Sequence, residues 1–319
     1  GLKKRVAIAM GALLAALLIF SMPSAMAQSA FNPTKPVKII VPFPPGGGAD
    51  TLIRLIAPMT GDLWKQSVII ENRPGASGLI GADLVAQSPA DGYTLLMGST
   101  AAVTEKNVNQ FAPVALVSAS PYVVTVNPAL NVSSIKALIA YAKANPGKVR
   151  YGSSGPGSAS HLAGELFASM AGVTLLHVPY KGTGQALTDL LAGHIDLMFA
   201  PAQTVMPQID NGKLIALAQT GSKRSEALPN MPTVSEAGLT GYSAVGWFGL
   251  FAPANTPKPV VQKINQTIMF VLGQEKIRKG MLERGSDPAS GSADDFAAFL
   301  RVDQAKWEKL IKENKVAVQ

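Results

Sequence analysis

The sequence predicts an α/β protein of two lobes, and three observations carry that prediction. The first is length: residues 28 to 319 are too many for one ordinary domain and suit two. The second is composition, 47% hydrophobic and 15% charged, which supplies a sizeable core and excludes disorder. The third is a pattern of strand, small-residue loop and helix that runs once through the first hundred residues and starts again near residue 150.

Taken in order, Val37 to Val41 is a β-branched run that ends at Pro42-Phe43-Pro44-Pro45-Gly46-Gly47-Gly48. Leu52, Ile53, Leu55 and Ile56 then recur at helical spacing towards Trp64. A strand over Ser67 to Glu71, a Pro/Gly loop, a helix over Leu79 to Gln87 and a strand over Tyr93 to Gly98 repeat the unit. Such alternation implies a parallel sheet with helices on its faces. Two adjacent strands, Val114 to Ser118 and Tyr122 to Asn127, suit a crossover between lobes. The second series opens with a helix capped by Ser133, followed by a strand at Val149 to Ser153 and a helix at Ala159 to Ala171. Leu175 to Pro179, Gln185 to Ala192, Ile195 to Ala200, Gln203 to Asn211 and Leu214 to Gln219 continue the alternation, and Trp247 to Ala252 returns as a strand. The tail is helical from Pro259, breaks near Gly273 and resumes at Ser292, where Ser292 and Asp295 form an S-x-x-D capping pair.

Lys3, Lys4 and Arg5 precede an uncharged stretch from Val6 to Met22 and the small residues Ala25-Met26-Ala27, which together read as a secretory signal peptide cut after Ala27. The apolar core from Ile8 to Phe20 is too short to span a bilayer. Cysteine is absent, so lipid anchoring, disulfides and thiolate metal sites are excluded, and a free protein retained in a bacterial periplasm is expected. The three basic residues leave with the leader and bring the +8 of the chain to +5. The positive residues are scattered, with no run of five and no interleaved aromatics, so a mild field for small anions fits better than nucleic-acid binding. Nothing in the chain calls for a cofactor, and nothing demands more than a monomer.

Two loops carry the candidate chemistry. Pro44 to Thr51 ends the first strand and opens a helix: its glycines let a ligand approach the backbone, and the helix start offers unpaired N–H groups to a carboxylate or phosphate. The nucleotide patterns G-x-x-x-x-G-K-S/T and G-x-G-x-x-G are both missing, and the structural alternative is a tight turn with Asp50 as helix cap. Gly152 to His161 repeats the design in the second series. Ser154 does not fit G-x-S-x-G because Pro156 replaces the last glycine, and His161 has no evident acid partner, so a hydrolase is not supported. His161, His177 and His194 lack metal-ligand spacing, and Lys306, Glu308, Lys309 and Lys312 read as a solvated helix face.

Several segments together resemble the Bug-type extracytoplasmic receptors of tripartite tricarboxylate transporters. They are Val41 to Gly47, Glu71 to Gly75, Asp91 to Leu96, His161 to Glu165, His177 to Gly182 and Trp247 to Pro253, in the family's order through nearly the whole chain after the leader. The resemblance implies a two-lobed periplasmic binding-protein fold of type II character with a ligand cleft between the lobes. It assigns residues 28–127 plus 247–319 to lobe one and 128–246 to lobe two. It also implies capture of a small organic carboxylate for membrane permease subunits of such a transporter, without catalysis. Carried over by position, Phe43, Gly47, Ala49, Asp50, Ser77 and Gly78 line one side of the cleft, and Ser154, Ser158, His161 and Lys181 the other. The connection from Ser99 to Phe111 is shorter than the family's, and Ala200-Pro201 stands where many relatives have Asp, which argues for a carboxylate without a cationic group. A sensory receptor on the same lobes, or more remotely a secreted hydrolase, is the alternative.

Overall fold

The structure, a computed structural model, describes residues 31–318. The leader expected over residues 1–27 lies outside the described residues. Strand β1 (Val37–Val41) pairs in parallel with β2 (Val68–Asn72) on one side and β3 (Thr94–Ser99) on the other. Their alternating side chains are buried on both faces. Ile39 and Val41 meet α1 (Gly48–Trp64) and α7 (Lys258–Leu272) on one side, while Ile40 and Leu96 meet α2 (Leu79–Ala86) and the first half of α9 (Ala293–Asn314) on the other. The expected break near Gly273 separates α7 from α8 (Glu275–Glu283).

Beyond β3 the sheet turns antiparallel. Strand β9 (Val245–Pro253) lies between β3 and β4 (Phe111–Val126). In place of the two strands expected over 114–127, β4 is one strand of 16 residues with two bulges. Pro121 does not end it, because the partners change there: Phe111 to Pro121 face β9, and Tyr122 to Val126 pair with β7 (Leu197–Pro201) and β8 (Ile215–Gln219). In the second lobe β7 pairs in parallel with β5 (Arg150–Ser153), and β5 with β6 (Leu176–Pro179). Helices α3 (Ile135–Ala144) and α4 (Ala159–Ala171) cover one face of this sheet, and α5 (Thr183–Ala192) and α6 (Ala202–Asp210) cover the other. The cap of α3 is Ser134 rather than Ser133, its Oγ accepting the Ala137 N–H, because the buried Ile135 and Leu138 set where the helix begins.

Two strand crossings therefore join the lobes, β4 at Pro121–Tyr122 and the return into β9. Thr220, fully buried, ties them together. Its Oγ1 accepts the Tyr122 N–H at 2.8 Å and donates to the Ala244 carbonyl at 2.6 Å. Thr220→Val keeps the shape and leaves both groups unmatched, so unfolding free energy is expected to fall by about 1–3 kcal/mol. A lower urea midpoint at unchanged slope would show it.

Helix α9 is a second brace across the lobes. Phe296 and Leu300 belong to the core of lobe one, whereas Trp307 and Leu310 belong to that of lobe two. Its Ser292/Asp295 pair forms the expected reciprocal capping box. Lys306 departs from the solvated face expected of it: its ammonium donates to the Ser243 carbonyl and lies 4.6 Å from the centroid of the Trp307 ring. One turn earlier, the buried Asp303 accepts the Trp247 indole N–H at 3.0 Å. The helix thus grips the second crossing from both sides.

Candidate functional site

Strand register locates the site. Ser99, the last residue of β3, pairs with Phe248, and Pro201, the last of β7, pairs with Tyr122. Both pairs sit close to the point where β4 changes partners, so the carboxyl ends of the parallel strands in both lobes point to the junction between them. Open α/β sheets bind their ligands at such strand ends.

On the first lobe, Gly47 is the N-cap of α1 and provides no side-chain cap. The N–H groups of Gly47, Gly48, Ala49 and Asp50 have no acceptor among the described residues. A helix start of this kind is a ready anion site, since the unpaired amides and the positive end of the macrodipole act together. Ala49 and Asp50 do not line the cleft with their side chains as expected. They are 2% and 3% exposed, so what these two residues contribute at the helix start is a backbone N–H without an acceptor among the described residues. The Asp50 carboxylate faces inward as a brace: it accepts Gly46 N–H at 2.9 Å, Asn72 Nδ2 at 2.9 Å and Arg54 Nε at 3.0 Å. Burial pushes its carboxyl up, but the hydrogen bonds from Arg54, Gly46 and Asn72 outweigh this and hold it below its ordinary value of 3.8. Arg54 offsets the negative charge, so the amides keep their pull on an anion.

Phe43 and Gly78 are brought together, because a β-carbon added to Gly78 would lie 3.2 Å from the Phe43 ring. Ser77 is exposed next to them and, with Ala76, holds a left-handed backbone (φ 56° and 48°) that non-glycine residues seldom adopt. Phe248 closes this side: its ring is 3.1 Å from where a β-carbon on Gly48 would be.

The loop between β5 and α4 is held from below. Ser158 caps α4, its Oγ accepting the His161 N–H and donating to the Gly155 carbonyl at 2.6 Å. Ser154 is partly exposed, its N–H donating to Ser160 Oγ. His161 is 2% exposed and lies behind the loop, with Nδ1 accepting the Gly157 N–H at 3.0 Å. Its ring stacks on His177 at 3.8 Å between centroids, and His177 Nε2 meets Ser153 Oγ at 2.6 Å. His194 stands apart and pairs with Asp189. Lys181 is exposed between β6 and α5, its N–H donating to Gln185 Oε1.

Two predictions follow from this support. Replacing Ser158 with Ala removes the cap and is expected to cost about 1 kcal/mol of stability, read by chemical denaturation, together with a modest loss of ligand affinity. The second concerns acid. Burial holds His161 and His177 down to about 4, His161 adding to the effect at His177 while Glu165 opposes it. The unfolded chain takes up protons near the ordinary value of 6.5, where the folded protein does not. Stability is therefore complete above that pH and declines as pH falls from about 6.5 towards 4. Thermal melts across this range should show a steep decline for the native chain and a shallower one for His177→Gln.

Sequence reasoning did not single out Arg54, Asn72, Phe248 or Gln203, and it weighed His177 as a metal ligand rather than as the ring that stacks on His161. Gln203 sits at the start of α6, directly after a parallel strand, the same strand-to-helix position that pointed to the two loops.

A two-lobed α/β binding protein, with small-residue loops at the strand ends of each lobe, is the class that this fold and site define. The chain belongs to the tripartite tricarboxylate transporter family receptors (TctC), whose family pattern matches residues 52–316. It is 35% identical over 292 residues to Protein BugT of Bordetella pertussis (strain Tohama I), covering 88% of this chain and 90% of that one. Among solved structures, it superposes on Rpa4515 of R. palustris with adipate at a TM-score of 0.79 and 36% identity, covering 89% of this chain and 99% of the other. MatC (Rpa3494) from Rhodopseudomonas palustris with bound malate aligns at a TM-score of 0.75 and 29% identity, over 88% and 99% of the two chains. The family is one of receptors, and the two solved neighbours hold adipate and malate.

Proposed function

We propose that the protein is a periplasmic receptor that captures a small organic carboxylate between its lobes and delivers it, as a monomer freed of its leader, to the membrane permease subunits of a tripartite tricarboxylate transporter. The observation that carries this reading is the uncapped start of α1, where four adjacent amides have no acceptor among the described residues. The adipate and malate bound by its relatives fit that chemistry. Gly47, Ala49 and Asp50 contribute amides to one end of the ligand, and Phe43, Ser77 and Gly78 shape the wall around it. Ser154 and Ser158, on the loop that His161 holds in place, and Lys181, between β6 and α5, approach from lobe two. The lobes divide at the two crossings tied by Thr220, which shifts the expected bounds of 28–127 plus 247–319 and 128–246: Tyr122 to Val126 pair with β7 and β8 and so go with lobe two, as do Trp307 and Leu310 of α9, because their side chains pack in that lobe's core. A ligand that touches both lobes favours the closed form through its differential affinity for that form.

The test is a thermal-shift screen of residues 28–319 against mono-, di- and tricarboxylates, aromatic acids and amino acids. A ligand at 100 times its dissociation constant adds about 2.7 kcal/mol, a shift of several degrees. The expected result is a shift with a carboxylate that lacks an amino group, that compound being recovered unchanged. No shift with any acid, or turnover of the compound, would overturn the proposal.

A further inference from the structure

We propose that Gln203 is the lobe-two residue that grasps the carboxylate held on α1, and so couples anchoring of the ligand to closure of the cleft. The inference rests on the carboxylate-receptor reading above. Gln203 is the second residue of α6, whose N-cap, Pro201, provides no side-chain cap. Its side chain is exposed and has no hydrogen-bond partner among the described residues. It does not simply extend into solvent. Its Nε2 lies 3.9 Å from where a β-carbon on Gly48 would be, at the first turn of α1, and its Oε1 lies 3.2 Å from the equivalent position on Gly285, just beyond α8. Helix α6 belongs to the core of lobe two, through Ala202 and Val205, whereas α1 belongs to that of lobe one. At this point one lobe therefore offers a free carboxamide to the other lobe's unpaired amides.

An anion resting on the Gly47–Asp50 amides would lie within reach of the Gln203 amide group, which can donate to it without adding charge. The ligand is then held by donors from both lobes, which is the condition for binding to favour the closed form. The residue type also bears on specificity. A neutral carboxamide, following the uncharged Ala200-Pro201, supplies no counter-charge for an ammonium group near the anchored carboxylate.

The test uses titration calorimetry, with the dicarboxylates adipate and malate as probes, on the native chain, Gln203→Ala and Gln203→Glu. Because Gln203 is exposed and unpartnered, Gln203→Ala should melt within a degree or so of the native protein yet bind about 10- to 100-fold more weakly. Gln203→Glu places an acid in the first turn of α6 and close to that of α1. It should raise the melting temperature of the ligand-free protein slightly and weaken dicarboxylate binding by more than about 100-fold, through repulsion and competition for the same amides. Native-like affinity in either variant would overturn the assignment. If a variant melts well below the native protein, the titrations are run at a temperature where it remains folded, and the same affinity criterion applies. Failure of the native chain itself to bind any carboxylate would instead count against the receptor reading, so the two outcomes are distinguishable.

Discussion

Replacing Gly47 with tryptophan is expected to abolish carboxylate capture while leaving the melting temperature of the ligand-free protein nearly unchanged. Gly47 has an ordinary backbone conformation (φ −73°), and an added β-carbon would meet only the Pro44 carbonyl oxygen, at 3.7 Å. No fold requirement therefore keeps this position small. The requirement comes from the ligand, which must bring its oxygens to the amides of Gly47, Gly48 and Ala49. Hydrogen bonds to a charged group contribute about 1.5–3 kcal/mol each, so blocking two of them lowers affinity by more than about 100-fold. The neighbouring Gly46→Ala variant provides the contrast. A β-carbon there meets nothing within 4 Å, but the backbone is left-handed (φ +87°), so alanine is expected to cost about 1–2 kcal/mol of stability. Calorimetric titration with adipate or malate, alongside thermal melts, separates the two effects. Retained affinity in Gly47→Trp would exclude α1 as the anchor.

Asp50→Ala should damage both fold and binding. The carboxylate is the shared acceptor for the Gly46 amide, the Asn72 carboxamide and the Arg54 guanidinium, and it stands at the base of the loop that presents the α1 amides. Removing it frees the exposed Gly46 amide to water and takes one of two acceptors from the half-buried Asn72 carboxamide, which still donates to the Phe43 carbonyl, so the cost is about 1–2 kcal/mol. The exposed Arg54 side chain can turn to water and adds little to this cost. The pH dependence provides a second readout. Because the folded-state value lies below 3.8, the carboxylate's stabilisation is fully present above that pH and is lost as pH falls through the folded value. Asp50→Ala should lose this acid-dependent component while retaining the decline caused by the two histidines between about pH 6.5 and 4. Denaturant titrations at pH 7, 5 and 3 would resolve the two contributions, and an unaltered acid limb in the variant would exclude Asp50 as its source.

Much of the local architecture was legible in advance because it depends on short-range chemistry. The β-branched run at Val37–Val41, the helix from Ala159 to Ala171 and the Ser292/Asp295 capping box are each specified by a few adjacent residues. The two glycine- and serine-rich loops also announce themselves, since small residues between a strand and a helix serve either a tight turn or close backbone approach.

Individual roles within those loops were less legible. Asp50 and His161 attract attention as polar residues beside a presumed cleft, yet both are buried and support the loops from behind. Their partners, Asn72 and His177, lie 22 and 16 residues away and are brought near only by parallel strand pairing. The same holds for β4. A proline after Ala119-Ser120 looks like a strand end, but the strand continues because new partners take over at Tyr122.

By itself, then, the sequence determined the alternation of strands and helices, the two small-residue loops and the helix caps, since steric preference, side-chain periodicity and nearby hydrogen bonding act within a few residues. Only the tertiary structure decided that the strand ends of both lobes meet at one junction, that α9 braces both cores, and that Gln203 lies against the first turn of α1. Those outcomes depend on which distant surfaces exclude water together, a property of the packed chain rather than of any short segment.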